Sequence, residues 1–280
     1  MNKILTNITK GIINRVKGKK HAGDFKKIAW LTEKIVKHQN DTTIKQISMS
    51  RFSMFYKRPY ELLHTYKEIY VKEIYRFRTG HQQPLIIDCG ANIGMSVVYF
   101  KHLYPNATII AFEPDESNFS LLSKNVELNK LQNIKLHQSA VWVSNGTITF
   151  EANESEASRI VNKKDTEKKE NTREVQAERL ADLLATYKRV DFLKIDIEGA
   201  EWDVVRDCAP YLNVVENMFL EYHGKTHDTH RLRDLLQILH DNCFSVYVQN
   251  AADNLQHPFI NRTTSTPFDV QLNLYCYKIK

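Results

Sequence analysis

The 280-residue sequence predicts a doubly wound α/β domain with helices on both faces of a mostly parallel sheet, preceded by a helical cap. Three observations carry this expectation. Short apolar runs alternate with amphipathic stretches from Gln83 onward, the runs are apolar on both faces, and the first 80 residues show helical spacing with no strand pattern. Strands this apolar, alternating with helices, belong to a parallel sheet covered on both sides. With 42% apolar and 26% charged residues, the composition is that of a globular protein able to bury a sizeable core.

Residues 1–80 form the expected cap. Ile4, Ile8 and Ile12 recur every four positions, and Tyr66, Tyr70 and Ile74 share one stripe. The α/β domain then occupies residues 81–280. PLIIDCG reads as its first strand and ANIGMSVVYFKHLY as the helix after it; ATIIAFEPD and ESNFSLLSKNVELNK repeat the unit. NIKLHQSAVW and GTITFEA are expected as strands, ERLADLLATY as a helix, VDFLKIDIEG as a strand and GAEWDVVRDCAPYL as a helix. NMFLEYHG, the helix RLRDLLQILHDN and the strands FSVYVQN and FDVQLNLYCYKIK complete the order. Residues 151–176 are polar and rich in Lys and Glu, which predicts a long mobile loop inside the domain.

The net charge of +6 hides an asymmetry: residues 1–80 hold 18 Lys and Arg against 6 Asp and Glu, whereas residues 81–280 hold 21 against 27. The cap is therefore +12 and the remainder −6. Such a basic element suits an anionic partner, whether nucleic acid, phospholipid or a phosphorylated substrate; the alternative is a solvated helical face. Residues 1–20 set Ile4, Leu5, Ile8, Ile12, Ile13 and Val16 on one side of a helix flanked by Lys and Arg, the pattern of a weak, salt-reversible contact with an anionic membrane. No segment reaches the roughly 18 uninterrupted apolar residues of a membrane span, and the N-terminus lacks a signal-peptide core. Cys89, Cys208, Cys243 and Cys276 lie far apart, without metal spacing, as reduced thiols do. A cytoplasmic protein is the expectation, with residues 1–20 read either as a peripheral contact at the inner membrane surface or as an ordinary helix packed on the cap or a frayed terminus.

In open parallel sheets, ligands sit outside the carboxyl ends of the strands. The first strand ends at Asp88 and turns through Gly90, Ala91, Asn92 and Gly94 into a helix whose N-terminus offers amide donors. The GxxxG spacing departs from the GxGxxG of dinucleotide sites, which disfavours a nicotinamide dehydrogenase. A carboxylate at Asp88 suits a cationic ligand such as the amino or sulfonium group of S-adenosylmethionine. Glu113, 25 residues on and followed by Pro114, is placed to accept both hydroxyls of a ribose, with Gln138, Ser139 and Ala140 bordering the adenine. At the fourth strand end, Lys194, Asp196, Glu198 and Glu201 crowd a helix start.

DCGANIG, then AFEPD with Asn118 and the pair Asn125 and Asn129, then SAVW, KIDIEGAE and LEYH resemble, in that order, the FkbM family of S-adenosylmethionine-dependent O-methyltransferases. The resemblance runs from about Tyr70 to His223, with KIDIEGAE its most specific piece. It implies a class I methyltransferase fold, a seven-stranded sheet whose last strand inserts antiparallel, and methyl transfer to a hydroxyl on a sugar, glycan or glycosylated small molecule. The alternatives are a nucleic-acid methyltransferase using the basic cap and a non-catalytic S-adenosylmethionine-binding module.

Methyl transfer to an alcohol needs an in-line oxygen relieved of its proton. The candidate bases are Asp196 and Glu198, with Asp196 also beside the cofactor, and Glu221 and His223 on the next strand. Imidazole has the best-placed pKa. Asp196, Glu198 and Glu221 holding a divalent cation is the second route, while Glu201 and Asp203 read as solvated or first-turn dipole partners. Arg51, Lys57 and Arg58 interleave with Phe52, Phe55, Tyr56 and Tyr60 as on sugar-binding surfaces, or simply flank a core. Ser158 and Arg159 inside the mobile loop either close over the acceptor or stay solvated, as most long polar loops do.

Overall fold

A computed structural model describes residues 28–49, 51–151, 159–160, 172–262 and 266–279. The expected amphipathic helix at 1–20 and Ser158 lie outside the described residues, and the side chain of Arg159 is likewise not described. Among the described residues, no helix is long and apolar enough to cross a membrane.

The chain opens with helix α1 (Trp30–Lys37), strands β1 (Lys45–Ser48) and β2 (Ser53–Tyr56), and helix α2 (Pro59–Tyr66), which runs on into a π-helical turn at Lys67–Val71. The hairpin corrects the all-helical reading of residues 1–80: β1 and β2 pair antiparallel, from Lys45 opposite Tyr56 to Ser48 opposite Ser53. Each strand has only four residues and buries one or two of them, Ile47 on β1 and Met54 and Tyr56 on β2, too short an alternation to stand out between helices.

The α/β domain follows with β3 (Leu85–Cys89), α3 (Met95–Leu103), β4 (Thr108–Phe112), α4 (Glu116–Leu128), β5 (Ile134–His137), β6 (Ala140–Trp142), β7 (Gly146–Glu151), β8 (Arg159–Ile160) and β9 (Thr172–Arg179). After these come α5 (Leu180–Ala185), β10 (Phe192–Ile195), α6 (Glu201–Cys208), a 3₁₀ turn at Ala209–Val214, β11 (Asn217–Gly224), α7 (Thr229–Asp241), β12 (Ser245–Asn250) and β13 (Val270–Tyr277). Seven strands form one sheet in the order β12-β13-β11-β10-β3-β4-β5. The neighbouring pairs from β11 to β5 are parallel, and β13 inserts antiparallel between β11 and β12, as expected for a Rossmann-like methyltransferase sheet.

Strand period 2 divides the core into two layers. Ile86 and Ile109 join the layer of Val97, Phe100 and the cap aromatics Phe52, Tyr66 and Tyr70. Ile87, Leu193 and Ile195 join the opposite layer, with Leu184, Val204 and Leu235. The cap is thus welded to the sheet by ring packing, with Phe52 4.8 Å from Tyr70 and Tyr70 edge-on to Tyr99 at 5.2 Å.

Two further expectations change. NIKLHQSAVW is not one strand: it breaks between β5, in the large sheet, and β6, in a four-stranded sheet ordered β6-β9-β7-β8. Residues 151–176 are not one loop, because Thr172 to Gln176 belong to β9 and pair with β7 from Glu151 to Thr147. TREVQAER has almost no apolar alternation, so backbone pairing alone makes this strand, and hydrophobic patterning leaves no trace of it.

β2 has a second edge, opposite β1, and α4 satisfies it. Asn125 accepts from the Phe55 amide at 2.6 Å and donates to the Phe55 carbonyl at 3.0 Å, while Asn129 does the same for Ser53 at 3.1 and 2.8 Å. Four residues of helix rise about 6 Å, nearly the ~6.6 Å of two strand residues, so asparagines at i and i+4 stand in for a neighbouring strand.

Candidate active site

A cavity of about 290 Å³ opens at the carboxyl ends of β3, β10 and β11. Gly90, Ala91 and Asn92 line one part, Asp196, Glu198 and Glu221 another, and Arg58, Glu61, His64 and Thr65 of the cap form the facing wall.

The glycine turn is shaped by close approach. Gly90 sits at φ +85°, and a Cβ there would fall 1.9 Å from the Asp196 carbonyl oxygen; Gly94, at φ +87°, presses on Leu122. Gly90 needs glycine on both counts, backbone conformation and backbone collision, and Gly94 for its positive φ. The amides of the turn are already engaged: Gly90 and Ala91 donate to the Phe112 carbonyl, Asn92 to Glu113, Ile93 to the Asn92 side chain and Gly94 to the Ala91 carbonyl. The turn itself therefore positions backbone, and the open amides expected of this region are left to the first turn of α3, which begins at Met95.

Asp88 does not line the cavity. Fully buried, it accepts from Ser96 Oγ at 2.5 Å and lies 3.4 Å from Lys194 Nζ. Lys194, only 2% exposed, also reaches Asp196 at 3.3 Å and donates to the Gly90 carbonyl at 2.8 Å. Burial opposes its charge, but Asp196 and Asp88 override this and hold its pKa well above the usual ammonium value. The charge of Asp88 is spent inside the fold, so the reading of it as a direct ligand group gives way to an anchor for the turn.

Glu113 is also buried, with Oε1 accepting from the Asp115 amide at 2.9 Å and Oε2 from the Asn92 amide at 2.8 Å. Burial lifts its pKa to about 7 against the opposing pull of those amides. Pro114 follows it toward α4. Ser139 and Ala140 do not line the cavity: both are buried, Ser139 donates to Glu178 at 2.7 Å, and Ala140 begins β6.

The acid wall has an inner support. Glu201, expected as a solvated residue or a first-turn dipole partner, does open the first turn of α6 but is fully buried, and it reaches back to accept from the amides of Ile197, Gly199 and His223. It also holds His223 Nδ1 at 3.1 Å. His223 Nε2 then stands 3.5 Å from Glu198 and 3.6 Å from Glu221, and Phe268 packs 4.9 Å from the ring. Burial would lower the His223 pKa, yet Glu201, Glu198 and Glu221 hold it well above the ordinary imidazole value. Glu198 and Glu221 are pushed above the usual carboxylate range, by burial first and then by neighbouring carboxylates, against the opposing pull of His223. The imidazole does not line the cavity, and carboxylates stand at both of its nitrogens, so it supports the acid wall from behind rather than meeting the acceptor directly. Donor atoms of Asp196, Glu221 and His223 lie within 4.8 Å of one another, the compass of a single cation.

The structure therefore brings Gly90, Ala91, Asn92, Asp196, Glu198 and Glu221 to one cavity and places Asp88, Gly94, Glu113 and His223 behind it. The family described as methyltransferase FkbM domain matches residues 88–246. The chain belongs to the FkbM methyltransferase family. Two methyltransferases are similar to it: Methyltransferase 1 of Beauveria bassiana (strain ARSEF 2860), 30% identical over 198 residues covering 63% of this chain and 79% of that protein, and Methyltransferase sdnD of Sordaria araneosa, 31% identical over 211 residues covering 64% and 82%. Among solved structures, Methyltransferase FkbM from Methylobacillus flagellatus KT aligns with a TM-score of 0.46 and 18% identity, over 72% of this chain and 45% of that one.

The FkbM match begins at Asp88 and includes the turn, the acid wall and Glu201, but not the cap. Lys194 and Glu201 are the functional positions that sequence reasoning undervalued. For Lys194 the signal is a charged residue inside an otherwise fully apolar strand; Glu201, six residues beyond that strand in the first turn of the next helix, reads like any acidic residue at a helix start. Gly90→Ala, which combines positive φ with a backbone collision, is expected to lower the melting temperature by several degrees more than Gly80→Ala, whose Cβ meets nothing within 4 Å. Equal shifts in thermal denaturation would show that the turn tolerates a side chain.

Proposed function

We propose that this methyltransferase transfers a methyl group from S-adenosylmethionine to a hydroxyl of a sugar, glycan or glycosylated acceptor. The observation that carries the reading is the cavity itself, where a glycine turn and three carboxylates at adjacent strand ends face a polar cap wall. When bound, S-adenosylmethionine supplies an electrophilic methyl on a cationic sulfonium, and a wall holding Asp196, Glu198 and Glu221 favours that charge. Glu113 stands outside the cavity lining but holds the Asn92 amide of the turn that does line it, and with one amide on each oxygen and further lone pairs to spare it is our proposed acceptor for the ribose hydroxyls of a donor seated against that turn. On the acceptor side, Arg58, Glu61, His64, Thr65 and Gln271 offer the hydrogen-bonding surface a polyhydroxylated molecule needs.

The acceptor oxygen must shed its proton as it attacks. Glu198 and Glu221 are the wall carboxylates aligned for this, oriented through His223, which Glu201 fixes from behind. A second reading has Asp196, Glu221 and His223 holding a divalent cation that lowers the hydroxyl pKa; the 4.8 Å grouping of their donor atoms favours it.

Two experiments test these roles. Because Glu113 is ionised only above about 7, affinity for S-adenosylhomocysteine is expected to weaken as pH falls from 8 to 6, and Glu113→Gln to flatten that profile while weakening binding about tenfold or more. Calorimetry giving a flat profile for the wild-type protein would remove Glu113 from the ribose site. With labelled S-adenosylmethionine and a glycan acceptor, Glu221→Gln is expected to lower turnover by about 10²–10⁴-fold with donor affinity nearly kept. Activity lost to a chelator and restored by manganese would assign Glu221 to a cation instead.

A further inference from the structure

Asn125 is fully buried on α4, and its amide group touches two parts of the molecule that face each other across the cavity. Oδ1 and Nδ2 bind the Phe55 backbone of the cap at 2.6 and 3.0 Å, and Nδ2 also donates to the Ile93 carbonyl, inside the glycine turn, at 2.8 Å. Two residues past Phe55, Lys57 and then Arg58 line the cavity, while Asn92 and Ile93 line it from the turn. Asn129 shows the contrast. It makes the same pair of bonds to the cap, at Ser53, and none to the turn; its remaining bond goes to the Asn125 carbonyl, one helical turn back.

We propose that Asn125 is a positioning residue that couples the acceptor wall to the donor turn, so that cap docking and donor binding reinforce each other; the donor half of this rests on the reading that the cavity takes S-adenosylmethionine. Both amide hydrogens are committed, one to the cap and one to the turn, and the oxygen accepts from the cap. Neither partner can shift without breaking a buried hydrogen bond, and coupling of this kind is reciprocal. An aspartate of the same size keeps the bond to the Phe55 amide but sets an oxygen against the carbonyls of Phe55 and Ile93.

Hydrogen exchange of the full-length protein, with and without S-adenosylhomocysteine, tests the coupling. In the free protein, Asn125→Ala is expected to speed exchange at both residues 53–56 and residues 90–94, and Asn129→Ala at 53–56 alone. In calorimetry, Asn125→Ala should weaken S-adenosylhomocysteine about tenfold and Asn129→Ala by less than about twofold. Ligand should slow cap exchange in the wild type and not in Asn125→Ala. If the alanine variant fails to fold, Asn125→Asp is expected to give the same pattern. The proposal is overturned if exchange in the turn is unchanged in the Asn125 variants, or if both asparagine variants alter affinity equally. Absence of ligand binding by the wild type would sink the donor reading alone, since the exchange pattern of the free protein still decides the coupling.

Discussion

The buried ammonium of Lys194 holds the centre of this molecule together. It lies between β3 and β10, bridges Asp88 and Asp196, and takes the Gly90 carbonyl, so the turn and the fourth strand end keep one separation. Stripping a buried pair of one partner costs about 3–5 kcal/mol. That cost makes the arrangement all-or-none: with the ammonium in place, Gly90 can approach the Asp196 carbonyl so closely that only a glycine fits. The shape of the FkbM cavity is a consequence of that contact.

The acid wall obeys the same rule with the signs reversed. Asp196, Glu198, Glu201 and Glu221 converge where neighbouring strands end, and like charges at such separations would drive the loops apart. Glu201 is satisfied by three backbone amides, and His223 stands among the others as their counter-charge. Two carboxyl groups are left with raised proton affinity at the rim of the cavity, a common way for a fold to carry proton chemistry near neutrality.

The cap completes the cavity without contributing a strand to the large sheet. Its aromatic residues enter the core, and the free edge of β2 is closed by two asparagines of α4 rather than by another strand. An edge left open would bury unpaired backbone groups or invite pairing with another chain. The same helix starts beside Glu113, with Asp115 as its N-cap accepting from the Asn118 amide. One element therefore joins the donor side to the acceptor side.

By itself the sequence determined the sheet of this protein, the order of its helices and the motif-bearing strand ends, because apolar runs, glycine turns and acids at strand ends are local patterns with a fixed period. It marked Gly90, Glu113, Asp196, Glu198, Glu221 and His223 as residues of one site. Only the tertiary structure decided which of these line the cavity and which support it from behind: Asp88 faces Lys194, 106 residues on, and His223 is turned by Glu201, 22 residues back, because a side chain's role depends on partners distant in the chain. The short hairpin at 45–56 and strand β9 were equally hidden, since backbone pairing with a distant segment, and not apolar spacing, holds them in place. Asn125 was visible as a letter in a motif. Its link between cap and turn exists only where Phe55 and Ile93, 38 residues apart, meet at one amide group.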